Sequence, residues 1–316
     1  MACRPHSIRL SDTLSVRRFF SRLTGPTAYR RLVLITLGAI YLNIVSGALV
    51  RVTNSGLGCP DWPLCEGKAT PPMQFHGLIE FSNRVIAFAV IVAAILLAIA
   101  AWRSIRQHSK WLFRGSLSIG ILTFMQGPLG GLTVLLDLHP IAVMSHFVVA
   151  LIELVILVVL TLETFEITPD WSPTPPRWLP TGGVVLAVWA WIVIISGAVV
   201  TMSGTHPGSD NVPRLWNLLD AAYLHVRIAA TFVVVLAAFL LVLARVIRPP
   251  QVVTRMAWAL VIVITVQIAI GEWQWRTQLP WWLVLLHVCV GTLSLALTAG
   301  FGWTLVVSRR PARRLR

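Results

Sequence analysis

Charge is what this sequence has least of. Only 12% of its 316 residues are Asp, Glu, Lys or Arg, and just 12 of them are acidic. Soluble domains carry about 25% charged residues, so a water-soluble enzyme and a disordered chain are both excluded. Cysteine is scarce as well: Cys3, Cys59, Cys65 and Cys289 are scattered along the chain and no His-x-x-x-His occurs, so nothing resembles a zinc site. No paired Asp motif for a Mg-diphosphate appears in the connecting segments, which argues against a prenyl transferase. What is abundant is apolar: 56% of the residues are hydrophobic, with a mean hydropathy of +0.78.

The 26 Lys and Arg residues give a formal net charge of +14. Twenty of them fall in 1–31, 102–114, 163–180, 245–255 and 309–316, that is, in both tails and in alternate connections. The positive-inside rule places basic residues this way. The basic balance is therefore a topology signal, and no nucleic-acid partner follows from it.

Apolar runs at 32–51, 77–101, 115–136, 141–162, 181–202, 221–244, 256–274 and 281–307 are long enough to cross the bilayer as helices. The expected fold is all-α and integral to the lipid bilayer, with eight transmembrane helices and both termini cytoplasmic. Residues 1–31 read as a cytoplasmic N-terminal tail with no small-residue cleavage site evident, so no removable signal peptide is expected. The Pro-rich segment 163–180 cannot continue a helix and reads as a cytoplasmic linker. It divides the chain into four-helix bundles at 32–162 and 181–307, followed by a basic cytoplasmic tail at 308–316. The halves repeat each other. Ser46-Gly47-Ala48-Leu49-Val50 recurs as Ser196-Gly197-Ala198-Val199-Val200, and Gln126, Gly130 and His146 recur as Gln267, Gly271 and His287. A parallel duplication into two pseudo-symmetric bundles is expected.

Polar residues inside a membrane are expensive and mark function. His146, His225 and His287 all fall within the first two turns of an outside-to-inside helix, which suits imidazole ligation of a metal or heme inside a bundle. The competing reading is three core histidines, each bonded to a backbone carbonyl. On the second span His76, Glu80 and Asn83 share one face, directed into the first bundle, and Glu80 and Arg84 form an i, i+4 pair that could be an ordinary surface ion pair. Glu153 lies seven residues after His146 on the same face and reads equally as part of a proton path or as a hydrogen-bonding group between helices. In the first outer loop Cys59 and Cys65, close in sequence on the oxidising side, can close a disulfide, either as a staple or as a redox-active dithiol.

The run Ser46–Arg51, the loop Gly56-Leu57-Gly58-Cys59-Pro60-Asp61-Trp62-Pro63-Leu64-Cys65 and the segment Ile79-Glu80-Phe81-Ser82-Asn83-Arg84 resemble the heme A synthase family over nearly the whole chain. The resemblance implies an enzyme of the bacterial cell membrane that oxidises one methyl group of heme O to a formyl group by successive hydroxylations, giving heme A for cytochrome oxidase. It implies a heme b cofactor held by His225 and His287 in the C-terminal half. The N-terminal half would receive heme O, with Glu80 and His146 as catalytic candidates and His146 as a candidate ligand of the substrate iron. Glu80 would manage protons or stabilise positive charge at the methyl carbon. Many members carry His where this chain has Asn83, and the sequence lies nearest the actinobacterial pattern, with Asn here and a His one turn before the Glu. His76 is a candidate replacement ligand, and Arg84 and Arg227, with Arg51, are candidates for pairing with propionates or for snorkelling to headgroups. Heme O synthase and cytochrome oxidase assembly factors enter as candidate partners, and oligomerisation is left open. The alternatives are a non-enzymatic membrane heme b electron-transfer cytochrome using the same histidines, and a transporter built on parallel repeats, which would hold no chromophore.

Overall fold

The computed structural model describes residues 25–309 apart from 69, 72, 168, 172, 173, 210 and 211. Cys3, most of the expected N-terminal tail and residues 310–316 of the basic C-terminal tail lie outside the described residues. Among the described residues eight helices are long and apolar enough to cross a membrane: α1 Pro26–Val52, α2 Phe75–Ser104, α3 Lys110–Leu135, α4 Pro140–Thr164, α5 Leu179–Ser203, α6 Leu218–Val242, α7 Gln251–Arg276 and α8 Trp281–Val306. The chain is an all-α multi-pass membrane protein. Several helices begin before the apolar runs do, α1 at Pro26 and α7 at Gln251. Their extra turns carry Arg30, Arg31 and Arg255. Such residues belong at the headgroup level, where a helix continues although hydropathy has already fallen.

Local chemistry sets the ends. Pro stands in the first turn of α1, α4 and α5, where its missing N–H costs nothing. The Asn217 side chain caps α6 by accepting from Leu219 N and Asp220 N at 2.9 and 3.2 Å. A π-turn, Leu243–Ile247, follows α6 and ends on Arg248 in the left-handed region, φ 52°, and Pro249-Pro250 then forbids further helix.

In the first bundle each helix packs on its sequence neighbours, and α1 closes the ring against α4. In the second, α5 packs on α6 and α8, and α7 on α8, but α6 and α7 hardly touch. The halves meet through α4 and α1 against α8, with α5 beside α4. Within the second half α5 and α8 approach so closely that a Cβ on Gly183 would lie 2.7 Å from the Gly302 carbonyl, the small-residue contact by which membrane helices pack.

The duplication extends to the backbone. The α3–α4 turn places Asp137 and Leu138 in the left-handed region, φ 49° and 58°, and the α7–α8 turn does the same with Gln278 and Leu279, φ 63° and 59°. Each is closed by the matching bond, Leu138 N–H to Thr133 O at 2.8 Å and Leu279 N–H to Gln274 O at 2.7 Å. Cross-bonds tie the halves together at both faces. On the loop-rich face Arg51 donates to Thr201 O (2.6 Å) and His206 O (3.0 Å), and Gly56 N–H donates to Gly208 O (2.9 Å). On the opposite face Trp303 Nε1–H donates to Glu163 at 2.8 Å.

Candidate functional site

The repeated Ser-Gly and Gln-x-x-x-Gly patterns acquire a common meaning in three dimensions, because each cradles a polar side chain of the next helix. His225 on α6 leans on α5: its Nδ1 lies 2.9 Å from Ser196 Oγ, and a Cβ on Gly197 would come within 3.1 Å of its Cε1. His287 on α8 leans on α7 in the same way. Gln267 Nε2 is 3.1 Å from both its Nε2 and its carbonyl oxygen, and a Cβ on Gly271 would lie 3.0 Å from its Cε1. A side chain at either glycine would press the ring aside by a few tenths of an ångström.

The two rings lie with their planes 85° apart and their centres 6.5 Å apart. With metal–nitrogen bonds of about 2.0–2.1 Å, and each nitrogen about 1.1 Å from its ring centre, two imidazoles on opposite sides of one metal have centres about 6.3 Å apart. His287 Nδ1 is buried with no hydrogen-bond partner, and Ser196 holds one nitrogen of His225, as an orienting partner of a ligating histidine does. Both rings border a cleft walled by Val193, Ile264, Ile268 and Leu295. The pair therefore fits a flat, doubly ligated macrocycle inserted between helices.

The N-terminal half presents the same four positions with one change. His146 on α4 sits against Gly130, whose added Cβ would lie 3.3 Å from His146 Cε1. Gln126 Nε2 donates to the His146 carbonyl at 3.3 Å, and His146 Nδ1 is buried without a partner. Opposite, Ser46 Oγ–H donates to Asn83 Oδ1 at 2.6 Å, and a Cβ on Gly47 would lie 3.9 Å from the same oxygen. Asn83 thus stands where the other half has His225, bonded by the equivalent serine.

Of the face of α2 expected to look into the bundle, Asn83 does so, whereas Glu80 and His76 lie further out on it. The first outer loop folds back onto that outer part, with Arg84 beside it. Cys59 and Cys65 form a disulfide, whose short loop is worth about 2 kcal/mol by chain entropy. Glu80 is 4% exposed; its Oε2 accepts from Cys59 N–H at 2.7 Å and its Oε1 from Arg84 Nη2 at 2.6 Å. Arg84 also donates to the carbonyls of Cys59 (2.9 Å), Asp61 (2.9 Å) and Leu64 (2.8 Å). This is no surface ion pair but an anchor for the loop, whose Trp62 ring lies against Gly131 of α3. His76 is exposed, and its Nδ1 is 2.9 Å from Ser55 Oγ; the structure does not bring it to Asn83. Arg51 is committed to carbonyls of the other half, whereas Arg227 is exposed. The serine and glycine partners were visible in the sequence as repeats, but repetition alone does not reveal what they touch.

Fold and site together define a duplicated membrane bundle protein with a buried histidine pair in one half and a histidine and an asparagine at the matching positions of the other. The family model of the COX15-CtaA cytochrome oxidase assembly protein matches residues 30–78 and 73–299, and the chain belongs to that heme-associated family. A heme A synthase of Halalkalibacterium halodurans is 31% identical over 214 residues, 63% of this chain and 70% of the relative. One of Shouchella clausii is 31% identical over 54% of this chain and 58% of the relative, and one of Bacillus pumilus is 33% identical over 45% and 46%.

Proposed function

We infer that this chain is a heme A synthase, a membrane oxidoreductase that converts one methyl group of heme O to a formyl group. The observation that carries the reading is family membership, set beside the buried pair His225 and His287 in one half and His146 in the other. A bis-histidine half suits a resident cofactor, and a half with His146 alone suits a substrate heme whose iron keeps one side clear of imidazole. In this division of labour residues 181–307 hold heme b through His225 and His287, and residues 32–162 receive heme O at His146. When bound, heme b supplies one-electron transfer.

The protein's own contribution is orientation and enclosure. Ser196 and Gln267 fix the two ligand rings, and the apolar cleft admits a macrocycle while excluding water. Arg227 is placed to meet a propionate at the outer end of the second half. Both termini, beside the basic connections, belong on the cytoplasmic side. Heme O synthase, as the source of the substrate, and cytochrome oxidase assembly factors are the protein partners this role implies.

The test is direct. Purified protein should carry one low-spin heme b by absorption and extraction, and should form heme A when given heme O, a reductant and air. Bound heme b with no heme A formed would leave only the electron-transfer cytochrome.

Glu80 gives a second expected outcome. Glu80→Gln should leave the heme b spectrum unchanged and lower heme A formation by about 10²-fold if the carboxylate handles protons or charge in the reaction. Arg84→Ala frees the same loop without removing the acid. Equal losses in the two variants, measured by extracted heme A, would reduce Glu80 to a loop anchor.

A further inference from the structure

The first bundle contains a file of polar side chains that the reading above does not use. At the end where α1 begins, Tyr29 reaches across the bundle to put its hydroxyl 3.1 Å from Ser116 Oγ of α3, with Thr164 of α4 beside it. Thr36 lies seven residues further along the Tyr29 stripe of α1, a rise of about 10 Å. Thr123 lies seven residues beyond Ser116 on α3, facing Glu153 of α4. Gln126 and His146 follow. Thr36 Oγ1, Thr123 Oγ1, Glu153 Oε1 and Gln126 Oε1 are buried and have no hydrogen-bond partner. Glu153 is 2% exposed and Thr36 0%.

The duplication supplies the comparison. Between α1 and α5 the offset fixed by Ser46 and Ser196 pairs Tyr29 with Leu179 and Thr36 with Leu186. Between α3–α4 and α7–α8 the offset fixed by His146 and His287 pairs Ser116 with Ala257, Thr123 with Ile264, Thr164 with Leu305 and Glu153 with Ser294. Five of the six rungs are therefore apolar in the second half, and its counterpart of the acid is a serine whose Oγ–H donates to Val290 O of its own helix. The groups next to the ligand positions, Ser46/Ser196 and Gln126/Gln267, are kept in both. The file belongs to the first half alone, so it is not a by-product of holding a macrocycle.

We propose that the interior of the first bundle is a proton path in which Glu153 is the relay between the end where α1 begins and the His146 site. The rungs are spaced by about 4–10 Å along the helix axes, so waters bridge them, satisfying the polar atoms that now lack partners. One Glu153 carboxyl oxygen accepts a proton from the water on the Thr36 side while the other releases one towards Gln126; no electrons move in that step. What the protons serve rests on the proposed function: a methyl-to-formyl conversion withdraws four electrons from the substrate, and in an apolar interior such charge movement needs matching protons.

The test needs no heme O. Infrared spectra of the full chain in liposomes, transferred from H2O to D2O, should show a carboxylic C=O band that shifts with exchange and is absent in Glu153→Gln. The double variant Thr36→Val with Ser116→Ala should keep the band and slow its shift several-fold. Retention of the low-spin heme b spectrum shows that each variant is folded. A band that does not exchange, or one that exchanges equally fast in the double variant, overturns the path. Exchange without heme A formation would instead leave the path standing and refute the assigned reaction.

Discussion

Replacing either His225 or His287 by alanine should abolish the low-spin heme b spectrum of the purified protein. The two rings lie 6.5 Å apart across one cleft, so in the proposed function both would be needed to hold the heme and neither could be spared. The surviving ring would hold a five-coordinate, high-spin heme or none. Ser196→Ala provides a graded control, since it removes only the hydroxyl beside His225 Nδ1. Loss of such an orienting partner costs roughly 10–100-fold in metal affinity, which would appear as heme shed during purification. His146→Ala should leave the low-spin signal intact and stop heme A formation. Absorption and electron paramagnetic resonance on the four variants decide the matter. Loss of the signal in His146→Ala with retention in His225→Ala would exchange the roles of the two halves.

The spans and their duplication were legible because both rest on what a bilayer demands of every sequence, apolar length and repeated polar exceptions. The three histidines stood out for the same reason. Helix ends were less legible: the interfacial turns bearing Arg30, Arg31 and Arg255 have the hydropathy of loops although they are helical. The direction of Glu80 was not legible at all. Periodicity places His76, Glu80 and Asn83 on one face, but it cannot say that a disulfide-closed loop folds back over the outer part of that face. Arg51 shows the same limit. A cation at a helix end reads as a headgroup or propionate partner, and only the fold shows that it spends its donors on Thr201 and His206 of the other half. Gly197, Gly130 and Gly271 were repeats without a purpose until the rings were seen against them.

Asn83→His should convert the first half into a copy of the second. Ser46 already stands where Ser196 does, with its hydroxyl donated to Asn83 Oδ1, and it would turn to Nδ1 of the new imidazole. Gly47 leaves the space: an added Cβ would be 3.9 Å from the asparagine oxygen, against 3.1 Å for Gly197 and the His225 ring, so the larger ring enters without displacing backbone. His76 does not already fill the role, since it lies seven residues, or about 10 Å, further out, with its Nδ1 beside Ser55. Protein loaded with heme O should therefore go from one low-spin heme in the wild type to two in the variant. Carbon monoxide added to the reduced protein should bind the first-half heme of the wild type and fail to bind that of Asn83→His, because the added imidazole occupies the position it needs. A wild-type protein that already shows two low-spin hemes, or a variant that gains none, would mean that Asn83 does not face the substrate iron and that the asymmetry of the two halves lies elsewhere.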